Sequence, residues 1–549
     1  MLKGFRTIAI LTAVSRVLGF ARDTAYAIIF GPGTLLDAWF IAFRIPNLGR
    51  RLFGEGAAAA SVVPVYSEQL HNDPAGAARL ARTVISVLFV VLTVIVVFGE
   101  GLIGLLSRYW GDNLETKLIL SLTAVTLPYM ILICLVAVIA GLLNVHRHFT
   151  TPALAPVIMN VCIIAGAIAA AVIYPVHVAD QAGAASQVIQ SFSQPAVKQV
   201  FVVAVAVIIA GIFEFGVQIP PFAASGLSLR PAWDVRAEPF KRILRLMGPM
   251  IIGLAVTQIN TFADDVIAWV LSGSPQKGEF FTLLGHQIRY PLWRGSVSYL
   301  GYAQHLYQLP LGIFGISLAT ALFPVMSAHA AKKNYDELCR TISLGVRGAI
   351  FISLPSTIGL ILVAKPFVSV WLRHGNFRAA DVPGVVWPLV FYSLGITGYF
   401  LQHIMVRAFH SLQDPIPPVR TGLFAVVVNF FLNITLVWSF GTGGLAASTA
   451  LCAYLQTAIL AVLLRKRLGH SVLEGFGKTI SKTAIASALM TAAAIAVYWL
   501  LRQKHDLVKL AVVIPVCVAV FLFIAVLLRI PEISLLTGKK VPEAEKPTT

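Results

Sequence analysis

Apolar runs of about twenty residues recur along the whole chain, separated by short polar or glycine- and proline-bearing stretches. At about 1.5 Å of rise per residue, such a run crosses the hydrocarbon core of a bilayer as a single helix. The pattern predicts helices over 6–29, 36–68, 80–106, 117–143, 150–174, 199–224, 240–271, 295–330, 341–364, 384–411, 417–438, 443–465, 479–501 and 507–528. The second, seventh and eighth are long enough to tilt or to extend past the bilayer. The expectation is an all-α polytopic membrane protein of about 14 transmembrane helices. Two segments break the rhythm. Residues 175–198 read as a polar outer loop, and 272–294 as a longer one with a mixed apolar and polar stretch. The tail after Pro531 is polar and is expected to be disordered.

Composition agrees with this pattern. Of 549 residues, 58% are hydrophobic and 12% charged, with a mean hydropathy of +0.82. A soluble globular chain carries about 25% charged residues. The net charge of +18 would suggest nucleic acid in a soluble protein. Here the basic residues form short clusters between apolar runs, as in the cytoplasmic loops of membrane proteins, which argues against a nucleic-acid partner. With the N-terminus inside, the inner loops hold Arg79, Arg82, Arg147, Arg230, Arg236, Lys241, Arg242, Arg245, Lys332, Lys333 and Arg465–Arg467. Lys277, Arg289, Arg294, Arg502 and Lys504 break the pattern, but the bias places both termini in the cytoplasm. Five scattered cysteines form no C-x-x-C pair, so neither a metal site nor a disulfide framework is expected. The first apolar run carries Arg16, Arg22 and Asp23 and leads into a second span, so it does not read as a cleavable signal peptide.

A weak internal repeat is visible. Pro64-Val65-Tyr66-Ser67 and Arg82-Thr83-Val84-Ile85-Ser86 find counterparts in Pro324-Val325-Met326-Ser327 and Arg340-Thr341-Ile342-Ser343. The offset covers six helices, an even number, so the two halves run parallel. Transporters built from parallel halves commonly bind substrate near the midplane between them.

The candidate chemistry is concentrated at the start. Arg16, Arg22, Asp23, Asp37, Arg44, Arg51 and Glu55 lie in or beside the first two apolar segments. A charge at the centre of a membrane helix costs roughly 2.5–3.5 kcal/mol on insertion scales. Asp37, Arg44 and Arg51 are spaced by seven and stay near one helix face, with Glu55 four beyond Arg51 and Pro46 bending the face between them. Arg16 and Asp23 share a face of the first helix. One reading is a cavity lined for an anionic ligand, since the planar guanidinium fork suits phosphate and carboxylate. The other is a set of ion pairs joining the two helices. The cavity is the favoured reading, because the arginines outnumber what simple pairing requires.

Further polar residues inside spans are Asp264, Asp265, Gln304, His305, Gln402, His403, Arg407, Asn429 and Asn433. Asn429 and Asn433 are i,i+4 neighbours and face the same way. With Asp264 and Thr449 they would offer oxygens to a small hard cation, or else hydrogen bonds between helices. His305 would titrate near neutrality, or serve as a satisfied polar contact. No P-loop, G-x-S-x-G or H-E-x-x-H motif occurs, so transport would draw on an ion gradient or the membrane potential.

Several of these segments together resemble the MurJ (MviN) lipid II flippase family of the MOP transporter superfamily. They are SRVLGFARD (15–23), DAWFIAFRIPNLGRRLFGEGA (37–57), GLLNVHRHFTTPALAPVIMN (141–160), YAQHLYQLPLGIFGISLATALFP (302–324) and RAFHSLQDPIPPV (407–419). The resemblance implies fourteen helices, with two six-helix lobes around a central cavity and two C-terminal helices forming a groove for the lipid tail. On this chain it sets an N-terminal lobe at 1–225, a C-terminal lobe at 226–470, the groove helices at 471–530 and a cytoplasmic tail at 531–549. It implies no enzyme activity, but translocation of the lipid-linked peptidoglycan precursor from the inner to the outer leaflet of a bacterial cytoplasmic membrane, in the company of cell-wall synthesis machinery. Arg16, Arg22 and Arg51 match arginines tied to the substrate's diphosphate. Asp37 and Glu55 match acidic cavity positions and Arg44 a typically basic one, and Asp23 and His305 join these residues as candidate substrate contacts. The family's sodium site, the source of a coupling ion, maps to Asp264, Asn429, Asn433, Thr449 and the backbone of Leu445. No other cofactor is implied. Asn433 stands where an aspartate is common, and Gln304-His305 where Asp-Arg is usual. The alternatives are another transporter of the superfamily, moving a different lipid-linked glycan or drugs, and a membrane enzyme acting on polyprenyl diphosphate. The arginine-rich opening favours a diphosphate over a cationic drug.

Overall fold

The computed structural model of the chain describes residues 2–54, 56–110, 113–176, 190–469 and 472–537. Helix occupies all fourteen expected windows. In chain order these helices are α1 (Leu2–Ile29), α2 (Thr34–Gly49), α3 (Ala57–Asn72), α4 (Pro74–Tyr109), α5 (Leu114–Thr126), α6 (Tyr129–Val145), α7 (Thr150–Ile173), α8 (Pro195–Ala224), α9 (Glu238–Val270), α10 (Ser296–Pro310), α11 (Ile316–Ala331), α12 (Tyr335–Leu372), α13 (Val382–Leu394), α14 (Ile396–Ser411), α15 (Ile416–Phe440), α16 (Thr442–Leu468), α17 (Phe476–Leu500) and α18 (Asp506–Leu527).

Several helix ends follow from the local sequence. Asp73 accepts from the Gly76 amide at 2.9 Å, with Pro74 opening α4. Asn113 accepts from the Glu115 amide at 3.0 Å at the start of α5. Gly469, at a φ of +74°, closes α16 just after Arg465, Lys466 and Arg467.

Ten helical segments are long and apolar enough to cross a membrane, and two bent pairs raise the number to as many as twelve among the described residues. Length and apolarity alone therefore do not reach the expected fourteen. The two windows left over, α1 and α2–α3, are those that carry the opening charges.

Breaks within the expected spans have identifiable causes. α5 and α6 meet at an angle of 41° around Pro128, and the helices on either side of Gly395 at 43°. Between α2 and α3, residues Arg50–Gly54 wind as a π turn just after Pro46. Between α10 and α11, Leu311–Gly315 do the same directly after Pro310.

By backbone contact the chain forms two compact units. One comprises Met1–Ser298 with His374–Arg378, the other Tyr299–Arg373 with Ala379–Thr549. This division differs from the 225/226 boundary, which rests on the repeat and the resemblance and not on packing. In the first unit α1 packs on α7, α7 on α8, α2 on α5 and α3 on α9. In the second, Ile342, Val346, Phe400, Ile404, Leu460 and Leu464 form a core across α12, α14 and α16. α17 and α18 pack on α12 through a separate cluster in which the Phe351 and Phe521 rings lie 5.3 Å apart.

Two loop expectations need correction. The disorder expected after Pro531 is not seen over residues 531–537, and 538–549 lie outside the described residues. Residues up to 537 form short helical turns, held by the buried Glu532, which pairs with Arg347 at 3.2 Å and accepts from Thr479 at 3.2 Å. The segment 272–294 is not an irregular loop. β1 (Ser272–Gly273) and β4 (Leu292–Trp293) pair in parallel at its base, and β2 (Phe280–Leu283) and β3 (His286–Arg289) form an antiparallel hairpin. Its turn residues Leu284 and Gly285 have φ of +51° and +82°, as a two-residue primed turn requires. Of the other outer loop, residues 177–189 lie outside the described residues.

Candidate functional site

Arg22 is held from two sides. Its Nε and Nη2 donate to Asp23 Oδ1 at 3.0 and 2.8 Å, and its Nη1 to Asn160 Oδ1 at 3.1 Å. Asn160, on α7, donates in turn to the Ser15 and Pro156 carbonyls at 3.1 and 2.9 Å. One buried amide therefore orients the guanidinium and ties α1 to α7. Asp23 is buried, which makes it the fixed counter-charge of Arg22. Arg16, two turns earlier, is exposed. It borders a cleft of about 440 Å³ whose polar wall is Thr12, Ser15 and Asn144 and whose apolar wall includes Ile8 and Phe149. A charged fork above an apolar floor can receive an anionic group that carries a hydrocarbon chain.

The heptad face of α2 meets the first unit's own α9. Arg44 Nε lies 2.6 Å from Asp265 Oδ2, and Arg51 Nη1 donates to Gln258 Oε1 at 3.0 Å. Seven residues forward on one side correspond to seven residues back on the other, so the contacts are two rungs of an antiparallel ladder. Asp265 is fully buried, and its Oδ1 has no hydrogen-bond partner. Arg51 is exposed. Its position just inside the π turn points the guanidinium at α9, and Gly49 and Gly54 let this stretch press on α6. A Cβ at Gly49 would run into Met130 Sδ.

Asp37 is bonded to the start of α10. It is fully buried, and accepts from the Gly295 amide at 2.6 Å, the Ser298 amide at 2.8 Å and the Ser298 hydroxyl at 2.5 Å. It caps the start of α10, where the free amides and the helix dipole favour a carboxylate. Glu55 lies outside the described residues.

His305 is half-buried on α10 in the second unit. Its neighbour Gln304 donates to the Tyr392 hydroxyl at 3.1 Å, so a neutral contact stands where the family's Asp-Arg pair is expected. The mapped cation residues divide between units. Asp264 is on α9, while Asn429, Asn433, Leu445 and Thr449 are on α15 and α16. The latter group is linked by hydrogen bonds. Asn433 donates to Asn429 Oδ1 at 2.8 Å, Asn429 to the Thr449 hydroxyl at 3.3 Å, Thr449 to the Leu445 carbonyl at 3.2 Å, and Ser448 to Asn433 Oδ1. These bonds join α15 to α16 through neutral groups. No step below is routed through sodium.

Sequence reasoning missed a buried charge pair. Arg294 is 1% exposed. It donates from Nη2 to Glu115 Oε2 at 2.6 Å and from Nη1 to the Trp269 carbonyl at 2.7 Å, with its guanidinium 3.5 Å above the Trp269 ring. This explains why Arg294 breaks the loop-charge pattern: its charge is neutralised inside the protein and carries no topological signal.

Comparison with known proteins decides the family. The model of the family described as lipid II flippase MurJ matches residues 26–517. The chain belongs to the MurJ family. A probable lipid II flippase MurJ of Vibrio cholerae is 30% identical over 506 residues, covering 90% of this chain and 88% of that one. The lipid II flippase MurJ of Burkholderia cenocepacia is 28% identical over 536 residues, 95% of each. A solved MurJ structure in an inward closed conformation superposes with a TM-score of 0.72 at 23% identity, covering 95% of this chain and 98% of that one. An inward-facing MATE multidrug transporter of the MOP superfamily gives 0.61 at 13% identity, covering 84% and 98%, which extends the shared fold beyond MurJ proteins.

Proposed function

We propose that this chain is a lipid II flippase. It takes the lipid-linked peptidoglycan precursor from the inner leaflet of the bacterial cytoplasmic membrane to the outer leaflet by alternating access, with both termini in the cytoplasm. Family membership supports the substrate, and the loop charge bias supports the orientation. The observation that carries the mechanism is the state of the opening arginines. Arg16 and Arg51 are exposed, and Arg44 pairs with the buried carboxylate of Asp265. A diphosphate offers more acceptor oxygens than Asp265 or Gln258 and forms charge-assisted, two-pronged contacts with arginine. It would therefore compete for Arg44 and Arg51 and loosen the α2–α9 ladder, so that binding itself favours a change of conformation. Arg22, fixed by Asp23 and Asn160, would supply a pre-oriented donor.

The driving force need not come from a nucleotide. Moving an anionic headgroup outward across an inside-negative membrane is favourable by about 2.3 kcal/mol per charge per 100 mV. The test is complementation of a flippase-depleted strain together with flipping of defined lipid II in proteoliposomes. Arg51→Ala and Arg16→Ala are expected to abolish rescue and flipping while the protein still inserts, and Arg51→Lys to restore part of both. Full activity of both alanine variants would refute headgroup binding at these residues. Preferential flipping of another lipid-linked glycan would reassign the substrate.

A further inference from the structure

The β2–β3 hairpin has no role in the mechanism above, and its construction is unusual. Its base is rigid. Ser272 donates to the Ala268 and Trp293 carbonyls at 2.6 and 3.3 Å, and Arg294 ties the end of β4 to Glu115 and Trp269. Its far end is apolar and uncovered. Phe280 is 51% exposed, Leu283 53% and Leu284 93%. Phe280 and Leu283 lie on opposite faces of the strand, and although Phe281 packs on the Tyr290 ring at 4.9 Å, the tip itself is bare. A lone two-stranded hairpin is marginal in water, and leucine is a poor choice for a turn position with positive φ, where asparagine or glycine is cheap. The local sequence thus accepts strain in order to place a leucine at the tip.

We propose that this hairpin is a membrane-interface anchor, with Leu284, Phe280 and Leu283 bedded in the headgroup region of the bilayer beside α9 and α10. The strands start ten residues after the end of one membrane helix and end seven residues before the start of the next (270 to 280, 289 to 296). The exposed apolar surface continues from Val270, at the end of α9, through Trp293, packed over Gly273, to the hairpin. Aromatic and aliphatic side chains at the end of a span are the usual composition of an interfacial anchor. The tip carries no charge of its own, and the flanking Glu279 lies 3.5 Å from Arg289, so the anchor is apolar.

The test uses the full-length protein in nanodiscs of phosphatidylethanolamine and phosphatidylglycerol. Leu284→Cys is labelled with an environment-sensitive fluorophore, and the signal of the unsubstituted protein is subtracted. The expected result is blue-shifted emission, quenched by chain-brominated lipids and insensitive to iodide, whereas a label at Arg230→Cys between α8 and α9 stays quenchable by iodide. Replacing phosphatidylglycerol with phosphatidylcholine should leave the shift unchanged. A label at Phe280→Cys, expected to behave likewise, guards against a perturbed turn. Water-like emission with iodide quenching at position 284, or protection that requires added membrane proteins, would overturn the anchor. Loss of flipping has no bearing on this readout, so the anchor and the transport reading fail separately.

Discussion

Arg44 Nε sits 2.6 Å from Asp265 Oδ2, joining α2 to α9 through a carboxylate that has no contact with solvent. Removing one partner of such a pair strands the other, at about 3 kcal/mol or more. Arg44→Ala should therefore lower the thermal midpoint of the purified protein clearly, and Arg44→Ala with Asp265→Asn should recover most of the loss. Equal midpoints for the single and double variants would show that Asp265 is not stranded.

Asp37 acts on stability through α10. Asp37→Ala leaves the Gly295 and Ser298 amides without their acceptor, and Ser298→Ala removes one bond of the same set. About 1 kcal/mol is expected for Ser298→Ala, and more for Asp37→Ala because the buried amides are left unpaired. Urea or thermal melts check the order. A larger loss from Ser298→Ala than from Asp37→Ala would contradict the capping role.

Asn160 joins two tasks. Asn160→Ala should cost about 1–3 kcal/mol through the lost buried bonds, and should also reduce flipping by releasing Arg22. Asn160→Asp keeps an acceptor for Arg22 but loses the donor to Ser15 and Pro156. It is expected to retain more lipid II binding than the alanine variant while remaining destabilised.

Lys277 gives a pH signature outside the membrane helices. Burial and the neighbouring Arg294 push its amine down from 10.5 to about 8, with Glu115 opposing. The fold thus favours the neutral amine, and between those two values the unfolded chain holds more protons than the folded one. Stability should rise with pH across this window, and the contribution should be lost as pH falls through about 8. Lys277→Met should remove that slope from a series of thermal midpoints. An unchanged slope would assign it to another group.

How much of this was legible in sequence depends on whether the information is local. The seven-residue spacing of Asp37, Arg44 and Arg51 defined a helix face because helical period is a property of the segment itself. That the face meets Asp265 and Gln258, some two hundred residues away, is a tertiary fact that periodicity does not encode. Asp37 was read as cavity lining because a charge in an apolar run suggests water, whereas the amides at the start of α10 supply its partners. The i,i+4 placement of Asn429 and Asn433 was legible, and they do bond to each other. Ser448, which completes their network, carried no pattern of its own. The hairpin escaped notice because Leu284 occupies a position that turn chemistry normally reserves for asparagine or glycine.

The two π turns carry a consequence of another kind. Pro64 and Pro324 are 260 residues apart, and the turns begin at Arg50 and Leu311, 261 apart, four residues after Pro46 and one after Pro310. A π turn amounts to one extra residue in a helix, a local accident of insertion. Two such insertions at matching places are more simply inherited than gained twice. A repeat with that offset would carry the same bend at the same place in each half.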